Sequence, residues 1–294
     1  MFLARTARPA ARLALRRHAH GMVQRSSAGK KTPLVALGAA AIVATTATAT
    51  ATAALAAPAK EEKKKPIEVV EDRLERVLNK IRETGALYDN TTVLRSRAIT
   101  ALFSVIRDAS ADNKAYVQYA DRLCTILAEE GLARVNGTRA KYVQTPCGLY
   151  NGLSVPSYES MCVVSIVRSG DILMEAVRKL ATGISVGKIL CQRDENDVEK
   201  RPKLFYSKLP QDIASKQVIL ADPMLATGGS AAMAIDVLIK AGVKEENILF
   251  LNVVSCPEGI SRLARDYPKV KIVTAAIDEK LNADKFIVPG LGGK

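Results

Sequence analysis

Residues 217–242 read QVILADPMLATGGSAAMAIDVLIKAG. Val218, Ile219 and Leu220 form a short apolar run of the kind that is buried on both faces of a parallel sheet, and it ends at Asp222-Pro223. A loop of small residues follows, Ala226-Thr227-Gly228-Gly229-Ser230, and then Ala234, Val237, Leu238 and Ala241 recur at helical spacing. A strand, a loop without bulky side chains and a helix N-terminus make an anion cradle. Successive backbone N–H groups converge there, and Thr227 and Ser230 add hydroxyl donors. Asp222, just beyond the strand, is suited to accept hydrogen bonds from sugar hydroxyls or to position a hydrated Mg²⁺. The blander alternative is a small-residue turn that only lets the helix pack closely.

The same texture extends in both directions. Apolar runs at 162–167, 186–191, 218–221, 248–254 and 270–275 alternate with helical segments at 171–180, 228–241 and 258–266. Buried strands separated by helices predict an α/β fold, a mostly parallel sheet flanked by helices on both faces. Ligands of such sheets bind at the carboxyl ends of the strands, so the strand-to-loop junctions carry the chemistry. A helical N-terminal segment precedes the sheet. Ile67, Val70, Leu74, Val77, Leu78 and Ile81 keep helical spacing up to Gly85, Leu94, Ala98, Ala101, Leu102 and Val105 give a second helix, and a third runs over 113–130, before Gly131. Pro146, Gly148, Asn151, Gly152 and Pro156 mark a turn-rich hairpin.

Composition removes several function classes. The 294 residues are 48% hydrophobic, ample for a core, and carry a formal charge of +13. Nine Lys or Arg and no acid fall in residues 1–60, which leaves +4 on the rest, so the basicity belongs to a leader. With aromatics at 4% and no basic–aromatic patch, no nucleic-acid partner is expected. His18 and His20 both lie in the leader, so neither Ser-His-Asp chemistry nor a His-ligated zinc site is open to the body. The five cysteines are scattered, which predicts buried thiols in a reducing compartment. The stretch Gly183-Ile184-Ser185-Val186-Gly187-Lys188 has the wrong spacing for a nucleotide-triphosphate loop, and no GxGxxG follows a strand. Residues 1–32 read as an organelle-targeting leader, mitochondrial or plastid. Residues 33–65 are an Ala/Thr-rich apolar segment and a charged linker. Within them 33–57 carries no charge and is long enough for membrane association, yet poor in strongly apolar residues. The folded domain is expected over 66–294.

At this point the motifs carry a resemblance. Ala221-Asp222-Pro223-Met224-Leu225-Ala226-Thr227-Gly228-Gly229-Ser230 resembles the phosphoribosyl-pyrophosphate (PRPP) loop of uracil phosphoribosyltransferases. VVSIVRSGD at 163–171 resembles that family's pyrophosphate loop, GKILCQRDE at 187–195 its arm, and Phe286 to Gly292 its uracil-binding loop. YADRL at 119–123, EEGL at 129–132, Cys256-Pro257-Glu258-Gly259 and the TAAID of 274–278 match further signatures. The resemblance covers residues 88–292 and implies a phosphoribosyltransferase-like fold in which uracil and PRPP yield UMP and pyrophosphate, in pyrimidine salvage.

The resemblance further implies that Arg168, Arg193 and Asp222 act on the substrate. Residues 222–230 (Asp222, Pro223, Met224, Leu225, Ala226, Thr227, Gly228, Gly229, Ser230) would bind PRPP together with both arginines. Uracil would be read by main-chain groups of Ile287 and Gly292. Arg168 follows a buried strand, where its guanidinium suits pyrophosphate oxygens. Arg193 opens a charged stretch, 194–201, followed by Pro202, Leu204, Phe205 and Tyr206, expected to form a protruding β-hairpin arm that closes over the ligand and excludes water. Mg²⁺ would be held mainly by PRPP and water, with no direct protein ligand. A homo-oligomer, dimer or tetramer, and GTP as an allosteric effector are implied in the same way. One departure stands out: after Gly292 the family continues with an acid and an aromatic tail, where this chain has Gly293-Lys294. The alternative it raises is a non-catalytic regulatory protein that binds PRPP or UMP.

Overall fold

The computed structural model describes residues 90–193 and 202–291, together with 75, 76 and 79. The leader, the 33–57 stretch, the charged linker, the arm residues 194–201 and Gly292 lie outside the described residues. So does most of the first expected helix, of which Glu75, Arg76 and Asn79 are helical.

The chain enters through a short strand, β1 (Thr91–Val93), and two helices, α1 (Arg97–Ile106) and α2 (Asn113–Leu132). Both helices begin where the side chain of an N-cap residue, Ser96 or Asp112, accepts a backbone N–H of the first turn. Helix α2 was expected to stop before Gly131 but runs through it. A Cβ on Gly131 would lie 2.9 Å from a methyl of Leu251, so this glycine serves close packing on the sheet rather than termination. A detached hairpin follows, β2 (Arg139–Thr145) with β3 (Gly148–Ser154), paired only with each other.

The α/β body is β4 (Met161–Val167), α3 (Asp171–Leu180), β5 (Ser185–Arg193), β6 (Pro202–Lys208), β7 (Gln217–Ala221), β8 (Met224–Leu225), α4 (Gly229–Lys240), β9 (Ile248–Ser255), α5 (Pro257–Asp266) and β10 (Lys271–Ile277). The sheet order is β1-β10-β9-β7-β4-β5-β6. Every neighbour pair is parallel except β5 with β6, and β8 lies off this path beside β9. A two-stranded ribbon, β11 (Lys280–Leu281) with β12 (Ile287–Val288), closes the described chain.

The apolar runs are continuous because both sheet faces are covered. In β7, Ile219 and Ala221 enter one core with Leu123 and Leu127 of α2 and Leu173 and Val177 of α3. Val218 and Leu220 point the other way, into a second core with Ile235 and Leu238 of α4 and Ile260 and Leu263 of α5. Each fully buried Leu, Ile or Val there contributes about 1.5–3 kcal/mol.

Three further features differ from the sequence reading. β1 was not foreseen, since three residues are too few to show alternation. The arm is not free along its length: β5 and β6 pair from Lys188 with Lys208 to Arg193 with Pro202, forming the sheet edge. The cysteines are all unbridged and four are buried, but Cys147 sits exposed at the β2–β3 turn.

Candidate active site

The sheet order fixes where a ligand belongs. From β4 the chain passes through α3 to β5 on one side and returns through β6 to β7 on the other. The reversal leaves a crevice between the carboxyl ends of β4 and β7, the place where open α/β sheets bind ligands. Ser169 from the β4 end and Asp222 from the β7 end meet across it, the Ser169 Oγ donating to Asp222 Oδ1 at 3.0 Å.

Asp222 is only 8% exposed. Its N–H donates to the Leu251 carbonyl, and the Pro223 carbonyl accepts from Val253 and Val254, so the turn is stitched to β9. Burial pushes the Asp222 carboxyl up to about 7, against the opposing pull of the Ser169 hydroxyl and, more weakly, the Met224 N–H. The neighbouring Cys191 thiol rises to about 11, first from burial and then from the Asp222 charge.

Beyond Asp222 the small-residue loop leads into α4. Gly228, at φ 76°, is left-handed and stands at the N-cap of α4 with no side chain of its own to cap the helix, and the Gly229 N–H makes only a long bond, 3.5 Å, to Thr227 Oγ1. The first-turn N–H groups of α4 therefore face a cavity with the positive end of the helix dipole behind them. That cavity is lined by Ser169, Pro202 and Asp222 and by every residue from Met224 to Ala231. Of the nine loop residues read from the sequence, only Pro223 is absent from the lining.

The other expected residues fall as follows. Arg168 is exposed at the carboxyl end of β4, next to Ser169 but outside the cavity lining. Arg193 closes β5, and its side chain lies outside what is described. Ile287 is buried in β12. Its ribbon starts just beyond β10, where the Asp278 N–H donates to the Ser255 carbonyl at the end of β9, so it belongs to the same edge of the sheet as the cradle. Ser169, Pro202 and Ala231 were not foreseen as lining residues. Ser169 was visible inside a quoted motif, whereas Pro202 reaches the cradle only because β6 folds back along β5.

For a divalent cation, the donor set is the test. Among the described residues Asp222 is the one carboxylate lining the cavity, and no group of three or more His, Cys, Asp or Glu could hold a metal. A buried carboxylate beside a helix N-terminus fits Mg²⁺ carried chiefly by a ligand's own oxygens and water.

The sequence model of the uracil phosphoribosyltransferase family matches residues 93–293. The uracil phosphoribosyltransferase of Dictyostelium discoideum is 45% identical over 206 residues, covering 69% of this chain and 93% of that protein. That of Saccharomyces cerevisiae is 42% identical over 198 residues, covering 67% and 90%. The solved structure of an Aquifex aeolicus protein aligns with a TM-score of 0.58 at 25% identity, over 69% of this chain and 94% of that one.

Proposed function

We infer that this chain, which belongs to the uracil phosphoribosyltransferase family, transfers the ribose 5-phosphate of PRPP to N1 of uracil, giving UMP and pyrophosphate in pyrimidine salvage. The observation that carries the reading is the crevice between β4 and β7, where a buried carboxylate adjoins the glycine-led N-terminus of α4.

The reaction breaks the C1–oxygen bond to pyrophosphate and forms the C1–N1 bond, while the N1 proton leaves to solvent. Little proton chemistry is needed, so catalysis is positioning plus charge stabilisation. The reading assigns the 5-phosphate to the N–H groups and hydroxyls of Ala226 to Ser230 and the ribose hydroxyls to Asp222. It assigns the departing pyrophosphate to Arg168 and Arg193, and the pyrimidine edge to main-chain groups of Ile287 and Gly292. Mg²⁺, when bound beside Asp222, would offset the charge that develops on pyrophosphate. GTP as an effector belongs to the same proposal and rests on family resemblance.

The experiment is UMP formation from uracil and PRPP with Mg²⁺, compared with cytosine, hypoxanthine and orotate. Turnover confined to uracil is expected, and a purine preference would overturn the assignment. The regulatory alternative shares the cavity and has no observation of its own among the described residues.

A homo-oligomer is supported by the detached β2–β3 ribbon. Tyr142, Leu149, Tyr150 and Leu153 are 62–75% exposed there, and the pairing register puts Tyr142, Leu149 and Leu153 on one face. An isolated two-stranded ribbon is marginal in water, so a second copy is the natural cover for this face. Replacing Leu149 and Leu153 together by Ser should weaken self-association by about 100-fold, since central apolar anchors dominate such interfaces. Sedimentation or light scattering over a dilution series reads this, and an unchanged oligomer would remove the ribbon from the interface.

Mitochondrial targeting by 1–32, with plastid targeting or anchoring of the organelle membrane through 33–57 as alternatives, is likewise proposed on sequence alone. A reporter fused to residues 1–60 tests it, and a purely cytosolic signal would count against it.

A further inference from the structure

The ribbon that would read the base is fastened by residues outside the cradle. Arg107, at the C-terminus of α1, donates through both terminal nitrogens to the Asp278 carboxylate, at 2.8 Å each. The same guanidinium donates to the Gly290 carbonyl at 2.8 Å, and Asp278 Oδ2 accepts the Gly290 N–H at 2.8 Å. Both main-chain groups of Gly290 are therefore occupied by one charge pair. Asp278 is buried at 3% exposure, and the Arg107 guanidinium also lies over the Phe103 ring, 4.7 Å from its centroid. A planar fork held on three sides has one orientation, and Lys could not reproduce it.

At the other end of the loop, the Asn282 N–H donates to the Phe286 carbonyl and the Phe286 N–H to Asn282 Oδ1. These bonds turn Phe286 toward β11. Ile287, the next residue along and partner of Leu281, must then turn its own N–H and C=O away from the ribbon. The loop is thus pinned on both flanks, with buried Ile287 between the pins, its carbonyl oxygen turned from β11 toward Gly290, and with both main-chain groups of Gly290 already taken.

We propose that Arg107 and Asp278 are positioning residues that set the geometry of the uracil-reading main chain, so that α1 takes part in base recognition without touching the base. This rests on the uracil phosphoribosyltransferase reading above. It predicts a split between the substrates: loosening the clamp affects the base and spares PRPP, whose cradle lies on β7 and α4.

The test uses the full chain with Arg107→Gln, Asp278→Asn and the double variant. The double variant leaves no buried unpaired carboxylate, so it keeps the test open where Arg107→Gln fails to fold. Expected is a rise in KM for uracil of about 10-fold or more with KM for PRPP changed less than about 2-fold. The double variant should be no worse than the worse single, because both members hold one loop. Hydrogen exchange provides a readout without turnover. The Gly290 amide should lose protection about 10-fold or more in each variant, while the amides of β7 and β9 keep theirs. Equal rises in both KM values, additive single effects, or an unchanged Gly290 amide would each overturn the clamp. Absence of UMP formation by the wild type, with Gly290 exchange still responding to the variants, would sink the uracil reading and leave the clamp as loop architecture only.

Discussion

Asp222→Asn should lower kcat/KM for PRPP by about 1,000-fold while leaving the protein as stable as, or more stable than, the wild type at pH 8. The activity loss follows from the assigned role. A carboxylate that accepts from two sugar hydroxyls makes two charge-assisted bonds worth about 1.5–3 kcal/mol each, and an amide substitutes a donor for one acceptor. The stability gain follows from burial. Burial raises the Asp222 carboxyl to about 7 in the folded protein, whereas in the unfolded chain it keeps its ordinary value of 3.8. Between those values the folded protein holds a proton that the unfolded chain has released. Stability from this group is therefore fully present below the unfolded value and is lost as pH rises through the folded one. At pH 8 the buried charge is a net cost, and Asn removes it without changing shape. Thermal melts at pH 5 and pH 8 should show a smaller pH 8 penalty for the variant, at roughly 2–4 °C for each kcal/mol recovered. In the wild type the same group should give kcat/KM for PRPP an acid limb near pH 7. A variant with normal turnover, or one destabilised at pH 8, would deny Asp222 this role.

That expected combination of lost activity and retained stability belongs to a residue the fold tolerates rather than needs, and such residues are the easiest to find in a sequence. An acid at the end of a run such as Val218-Ile219-Leu220 has no packing reason to be there, so its position already suggests chemistry. The cradle was legible for a related reason. Thr227, Gly228, Gly229 and Ser230 sit where a strand must become a helix, and small residues with hydroxyls at that junction have few uses besides anion binding. The sheet could be read because its strands are buried on both faces, which leaves uninterrupted apolar runs. Its edges could not. β1 is three residues long, and β6 has six exposed residues in a row, Lys203 to Lys208, giving no alternation to detect. The clamp was equally invisible. Arg107 and Asp278 are 171 positions apart, and an arginine ending a helix is ordinary until the fold brings it to a buried carboxylate. Periodicity reports how an element faces its neighbours and says nothing of which distant charge it will meet.

Gly170→Ala should damage both stability and turnover, because it tests whether the two halves of the crevice are held together by backbone contact. Gly170 opens α3 at φ −66°, a conformation open to any residue, so the demand for glycine here is one of space. A Cβ would stand 2.2 Å from the Ala221 carbonyl oxygen and 2.8 and 2.9 Å from the Ile166 nitrogen and oxygen. All three atoms are main chain, so no rotamer change relieves the clash. The turn carrying Arg168 and Ser169 must move off the end of β7, and the 3.0 Å bond from Ser169 to Asp222 is what moves first. Overpacking of this kind costs about 3 kcal/mol, or roughly 6–12 °C in Tm for a domain of this size. A displacement of about 1 Å at the reacting groups costs a further 100-fold in kcat/KM. Gly183→Ala is the matched control. That glycine is left-handed at φ 93° with nothing within 4 Å of a Cβ, so alanine there strains the backbone locally and meets no neighbour. It should cost about 1–2 kcal/mol and leave turnover intact. If both alanines lower Tm alike and neither alters kcat/KM, the β4–α3 turn is packing only, and Ser169 and Arg168 lose their place beside the substrate.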